Sequence, residues 1–244
     1  MPAWPSPPWP DLLARAMRLA RTEIGALAAV AVVALGLWAF ASVAEEMAEG
    51  ETHAFDQAVL NALRVGGDPS VPVGPPWLES ALTDLTALGG PWVLVTFAVM
   101  AAGFVLIQRR PAAAALIVVS LGGGAVLSQA LKAAFGRDRP ALAYRAVEAF
   151  NPSFPSGHAM LSAVFYLTLG AIMARVLAKR RLKAYVLTWA ILLTVTIGFS
   201  RIYLGVHWAT DVLAGWSLGA AWAMLCWLAA YLLERRAGRK IETT

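Results

Sequence analysis

Cysteine is nearly absent from this chain: Cys226, inside an apolar run, is the only one in 244 residues. No intrachain disulfide is therefore possible, and the paired-thiolate spacings of zinc sites are missing too. A small apolar packing role accounts for Cys226, and cysteine usage says nothing about redox compartment. Charge is also scarce. Charged residues make up 14% of the chain against 59% hydrophobic, whereas soluble domains carry about 25% charged residues. This excludes an ordinary soluble protein and points to the membrane. Histidine occurs only as His53, His158 and His207. There is no internal repeat and no separate soluble domain.

The scarce charge leans positive, with a net value of +5. A nucleic-acid partner is excluded by how it is distributed: the basic residues form short runs between apolar segments, the pattern of cytoplasmic loops. A bilayer span needs about 20 apolar residues. The sequence offers six candidates, over residues 24–44, 91–107, 112–131, 158–178, 184–199 and 207–233. The second and fifth are short and need flanking residues. The sixth is long and must tilt or protrude. The expected fold is all-α: a six-helix transmembrane bundle over residues 24–233, after an N-terminal segment (1–23) and before a basic tail (234–244).

Orientation follows from charge. Arg15, Arg18 and Arg21 precede the first span, Arg109-Arg110 separate the second and third, and Lys179, Arg180, Arg181 and Lys183 separate the fourth and fifth. Arg235, Arg236, Arg239 and Lys240 follow the sixth. Six spans put all four groups on one side, which the positive-inside rule makes cytoplasmic along with both termini. Residues 45–90, the first outside loop, hold eight acidic residues and one basic residue, Arg64. Within it, 55–63 and 76–88 read as short amphipathic helices on the membrane surface, joined by a turn-rich stretch. His53 in this loop reads as a solvated surface residue.

The pattern Ala41-Ser42-Val43-Ala44 resembles a signal-peptidase site, but about 20 apolar residues precede it, against about 7–15 in a signal h-region. The first span is therefore read as retained. The Trp- and Pro-rich start cannot be a regular helix, and Trp4 and Trp9 suit the membrane interface or a free tail. Gly122-Gly123-Gly124 reads as a close helix-packing point.

Three polar clusters stand at the ends of apolar segments, where charge is costly and a functional role is the default reading. All fall on the outside face. Lys132 and Arg139-Pro140 form the first; Pro155-Ser156-Gly157-His158 opens the fourth span; Ser200-Arg201 precede His207 and Asp211. His207 and Asp211 are four residues apart and share a helix face. A carboxylate on one imidazole nitrogen fixes the tautomer and leaves the other as nucleophile or base. Arginine forks match phosphate oxygens. Ser156 is an N-cap, Gly157 permits close backbone approach, and a helix N-terminus favours an anion. His158, in the first turn, is placed to act as a general acid. Arg137 is a weaker candidate for holding substrate, and Asp138 reads as a local salt-bridge partner.

Taken together, these residues resemble the type 2 phosphatidic acid phosphatase (PAP2) superfamily, whose signature is K-x6-R-P, then P-S-G-H, then S-R-x5-H-x3-D. The sequence reads KAAFGRDRP, PSGH and SRIYLGVHWATD, with every fixed position matched. The resemblance implies a phosphatase working without metal or cofactor through a phosphohistidine. It makes His207 the nucleophile, Asp211 its orienting carboxylate and His158 the general acid, then base. Lys132, Arg139, Ser156, the Gly157 backbone and Arg201 become the phosphate-holding groups. Six spans separate this chain from the family's soluble haloperoxidases. The implied substrate is a lipid phosphate at the extracytoplasmic leaflet of a bacterial inner membrane, with undecaprenyl diphosphate, phosphatidylglycerol phosphate, phosphatidic acid and lipid A phosphates as candidates. A lipid phosphotransferase using the same phosphohistidine is the alternative, and a lipid or anion transporter a more distant one. Oligomeric state is left open.

Overall fold

The computed structural model describes the backbone of residues 9–242 and the side chains of residues 24–236. Among the described residues eight α-helices follow one another: α1 (Trp9–Ala48), α2 (His53–Ala62), α3 (Pro76–Ala87), α4 (Pro91–Ile107), α5 (Pro111–Phe135), α6 (Gly157–Val176), α7 (Arg180–Tyr203) and α8 (Ala209–Glu242). A single 3-10 turn (Leu142–Tyr144) interrupts the loop between α5 and α6. Among the described residues there are no strands, only an isolated bridge between Arg64 and Pro72. Trp4 and the side chain of Trp9 lie outside the described residues.

Local sequence sets several boundaries. Pro76, Pro91 and Pro111 each begin a helix, where a missing N–H costs nothing and the fixed φ suits the first turn. Gly136 ends α5 in the left-handed conformation, the usual glycine stop. Ser156 caps α6, its side-chain oxygen accepting from Ala159 N–H.

Among the described residues five helices are long and apolar enough to cross a bilayer, and α3 with α4, bent by 49°, makes a sixth if the pair is one span. The short second span is α4 alone at 17 residues, about 26 Å of helix against a hydrocarbon core of about 30 Å. The fifth lengthens as expected, since α7 has 24 residues. Two readings change. The 76–88 helix does not lie separately on the surface: α3 leads into α4 and packs against α7. The sixth helix starts at Ala209, so His207 precedes it instead of lying on it. Both α1 and α8 run on past the apolar boundaries, to Trp9 and Glu242.

The bundle is built around α6, which touches α4, α5, α7 and α8. Of its apolar stretch 56% is buried inside the protein, against 11% for α1, which rests chiefly on α8. Lipid is as apolar as leucine, so burial of Leu94, Ile117, Phe165 and Ile197 stabilises by dispersion and fit more than by leaving water. Small residues then bring backbones together. A Cβ on Gly219 of α8 would come 2.5 Å from Met160 O of α6, and one on Gly215 would come 2.8 Å from Ser156 O. This four-residue glycine spacing presses the start of α8 onto the start of α6. Gly123 and Gly124 of α5 face Trp222 and Val164, a packing point as read from the sequence, while Gly122 faces open space.

Candidate active site

Alternating helix directions carry the C-termini of α5 and α7 and the N-termini of α6 and α8 to one end of the bundle. There Lys132, Arg139, Gly157, His158, Arg201 and His207 line one cavity of about 250 Å³. Members of all three sequence clusters thus share one space. Arg109, Arg110 and Arg175 border a separate cleft at the other end, where Arg175 pairs with Glu234 at 2.6 Å.

Lys132 sits in the last turn of α5, and its ammonium donates to Pro152 O. Arg139, beyond the Gly136 stop, donates through Nε to Asn151 O and through Nη1 to Val206 O, each at 2.6 Å. These cations therefore draw the loop before α6 and the segment before α8 around themselves. Burial lowers the pKa of Arg139, but a guanidinium keeps its charge in proteins.

Arg201, near the end of α7, is 6% exposed. Its Nη1 donates to Thr86 Oγ1 at 3.1 Å, and its buried Nε has no partner among the described residues. A buried donor without an acceptor is costly, and this one belongs to a cavity-lining side chain.

His207 is held on both edges. Its Nδ1 lies 3.3 Å from Asp211 Oδ2 and 3.3 Å from Ser153 Oγ. Its Nε2 lies 3.1 Å from Arg139 Nη1. A guanidinium can only donate, so Nε2 is the acceptor and Nδ1 bears the proton facing Asp211. That tautomer has its free lone pair on the cavity side. The pairing crosses a helix start, because Asp211 Oδ2 also accepts from Trp208 N at 2.9 Å. Ser153 donates to the same oxygen, and Ser156 N donates to Asp211 O at 2.9 Å.

His158 lies in the first turn of α6, beside the bend between α3 and α4: a Cβ on Gly89 would come 3.4 Å from its Cδ2. A side chain there would also meet Ile197 at 2.4 Å, so Gly89 keeps the room His158 occupies. Ser156 is fully buried; its hydroxyl caps α6 and it is absent from the cavity wall, which Gly157 reaches.

Two sequence readings need correction. Arg137 does not reach the cavity; its fork joins Asp56 at 2.7 Å and Asp211 at 2.6 Å. Asp138 forms no ion pair among the described residues, and its carbonyl accepts from Trp208 Nε1. His53 is exposed as expected, yet its ring meets the Trp208 ring edge-on at 5.9 Å.

Sequence reasoning missed Asp56, Thr86, Ser153 and Thr210. Only Asp56 carried a readable signal: it shares a helix face with Val59, Leu60 and Leu63, where an acid among apolar residues calls for a partner.

Known proteins match this arrangement. A model of the PAP2 superfamily matches residues 113–235, a range containing every motif above. The chain is 33% identical over 165 residues to phosphatidylglycerophosphatase B of Bacillus subtilis (strain 168), covering 66% of this chain and 80% of that protein. A stretch of 68 residues is 35% identical to the undecaprenyl-diphosphatase of Sulfolobus acidocaldarius, covering 28% of this chain and 29% of that one. The fold also matches the crystal structure of the transmembrane PAP2 type phosphatidylglycerolphosphate phosphatase from Bacillus subtilis, with TM-score 0.72 and 30% identity over 80% of this chain and 93% of that one. Motif spacing, helix arrangement and overall similarity agree, and this chain belongs to the PAP2 superfamily.

Proposed function

We propose that this membrane PAP2 enzyme hydrolyses a lipid phosphate at the extracytoplasmic face through a phosphohistidine on His207. The observation that carries the reading is the convergence of Lys132, Arg139, Arg201 and both histidines on one cavity. Phosphoryl transfer needs positioning and charge stabilisation more than covalent machinery. Three cations around a neutral imidazole supply both.

In the first step the Nε2 lone pair of His207 attacks phosphorus. The bond from phosphorus to the leaving oxygen breaks, and His158 gives that oxygen a proton, releasing the lipid alcohol or lipid monophosphate. Asp211 balances the positive charge that develops on the ring. In the second step His158, now the base, takes a proton from water as its oxygen bonds to phosphorus. The bond from phosphorus to Nε2 breaks, inorganic phosphate leaves, and His207 recovers its lone pair. Lys132, Arg139, Arg201 and the Gly157 N–H hold the phosphoryl oxygens throughout. Ser156 serves this group as the cap that fixes the first turn of α6.

Substrate choice rests on relatives. The match to a phosphatidylglycerophosphatase spans most of both chains, whereas the undecaprenyl-diphosphatase match covers under a third of each. Phosphatidylglycerol phosphate is therefore the first substrate to test, followed by undecaprenyl diphosphate and phosphatidic acid. Sidedness rests on charge: the basic turns sit at the end of the bundle opposite the cavity.

The test is phosphate release from these lipids in detergent with EDTA present, for wild type and His207→Ala. Wild type should release phosphate and trap an acid-labile 32P label; His207→Ala should do neither, losing about a thousandfold or more in rate. Undiminished release by folded His207→Ala would overturn the mechanism. Phosphorylated acceptor in place of free phosphate would mark a phosphotransferase.

A further inference from the structure

The acidic loop before α4 supplies a part of this site that its motifs do not contain. Asp56, on α2, is 1% exposed. Its Oδ2 pairs with Arg137 Nη2 at 2.7 Å and accepts from Thr210 Oγ1 at 2.6 Å, while its Oδ1 accepts from Thr210 N at 2.9 Å. Arg137 Nη1 reaches Asp211 Oδ1 at 2.6 Å and Thr210 Oγ1 at 2.8 Å. The guanidinium also lies over the Trp208 ring, 5.7 Å from its centre. The chain of contacts runs Asp56, Arg137, Asp211 and ends at His207 on the cavity wall.

We infer that Asp56 is a positioning residue whose charge neutralises Arg137, so that Asp211 keeps a net negative charge for His207. The charges decide the matter. Arginine cannot give up its proton. With Arg137 and Asp211 alone, the pair beside His207 sums to zero, and the positive charge arising on the imidazole finds no net counter-charge. Adding Asp56 leaves one negative charge over the three groups, matching the one positive charge that attack on phosphorus creates. The groups are buried, with Arg137 13% exposed and both carboxylates 0% by side chain, so water screens them little. Bonds from Thr210 fix the Asp56 carboxylate on both oxygens.

This inference rests on the phosphohistidine reading above, and its test separates the two. Phosphate release is measured for wild type, Asp56→Asn and the double variant Asp56→Asn/Arg137→Gln, per folded protein as judged by detergent size exclusion and thermal midpoint. Asparagine keeps the shape but leaves Arg137 to cancel Asp211. The expected result is a kcat lowered about tenfold or more, the usual size for groups that orient a reacting ligand, with KM changed less than about twofold, because phosphate-holding groups are untouched. Removing the arginine charge as well should then restore kcat by about threefold or more, a coupling that only a shared network gives. A purely structural Asp56 predicts the opposite, a further loss in the double variant.

Unchanged kcat in Asp56→Asn, a loss confined to KM, or a double variant slower than the single one overturns the proposal while leaving the phosphohistidine reading intact. Wild type releasing no phosphate overturns both. Should Asp56→Asn alone fail to fold, the double variant carries the test, since it restores the charge sum. Folded double variant with kcat within about tenfold of wild type supports the proposal, and a greater loss sinks it.

Discussion

Nη1 of Arg139 stands 3.1 Å from Nε2 of His207, so the cation that would hold a phosphoryl oxygen also marks the nitrogen that would attack. This contact directs the lone pair of His207 into the cavity, where a phosphoryl group would sit. In the proposed mechanism a phosphate oxygen would be the better acceptor for this guanidinium, which would leave the nitrogen free to attack.

Arg139 and Arg201 should therefore matter more to rate than to binding. Removing one preorganised donor from a developing oxyanion costs about 100–1,000-fold in kcat. That loss is expected for Arg201→Ala, whose buried Nε has no acceptor among the described residues. Arg139→Lys should lose rate too, because an ammonium cannot reproduce the planar fork that now reaches Asn151 O and Val206 O. Steady-state phosphate release measures both, and wild-type kcat in either would remove that residue from the phosphate site.

The division of labour between the histidines has its own signature. If His158 protonates the leaving oxygen, His158→Ala should be slow on a lipid alkyl phosphate, by about 100-fold or more. The same variant should be much closer to wild type in the first-turnover burst of p-nitrophenol from p-nitrophenyl phosphate, whose leaving group needs no proton, while water attack in the second step stays slow. His207→Ala should be inactive on both. Equal losses in the first-turnover release of the two leaving groups for His158→Ala would refute the general-acid role.

Gly205 tests the turn that delivers His207. Its φ is +67°, and a Cβ there would lie 1.9 Å from Tyr144 O. The left-handed conformation alone costs a non-glycine residue about 1–2 kcal/mol, and the clash adds to it. Gly205→Ala should lower the thermal midpoint in detergent and reduce activity together, since Val206 and His207 both donate backbone N–H to Arg201 O at 3.2 Å. A variant with unaltered midpoint and rate would contradict the geometry.

Sidedness can be read by labelling. In a Cys226→Ser background, a cysteine replacing the exposed, cavity-lining Glu148 should react with a membrane-impermeant maleimide in intact cells. A cysteine replacing exposed Arg181 at the opposite end should react only after permeabilisation. The reverse pattern would place the cavity in the cytoplasm.

The sequence by itself determined the class of fold and the cationic and histidine members of the cavity. Scarce charge and long apolar runs dictate membrane helices, because a backbone in hydrocarbon must satisfy its own hydrogen bonds. Lys132, Arg139, His158, Arg201 and His207 stood out because ionisable groups beside hydrocarbon are expensive enough to be rare. Their motif spacing fixed them further. Tertiary structure decided what each polar group touches. Arg137 looked like a weaker copy of Arg139, two residues away on the same short loop, yet one faces the cavity and the other faces Asp56 and Asp211. The reversed neighbour is settled by α2 and Thr210, which lie far off in sequence and close in space. Likewise, an acidic loop with no motif became the floor of the site through Asp56 and Thr86. Local pattern records the cost of placing a charge, and only the packed helices determine which partner offsets it.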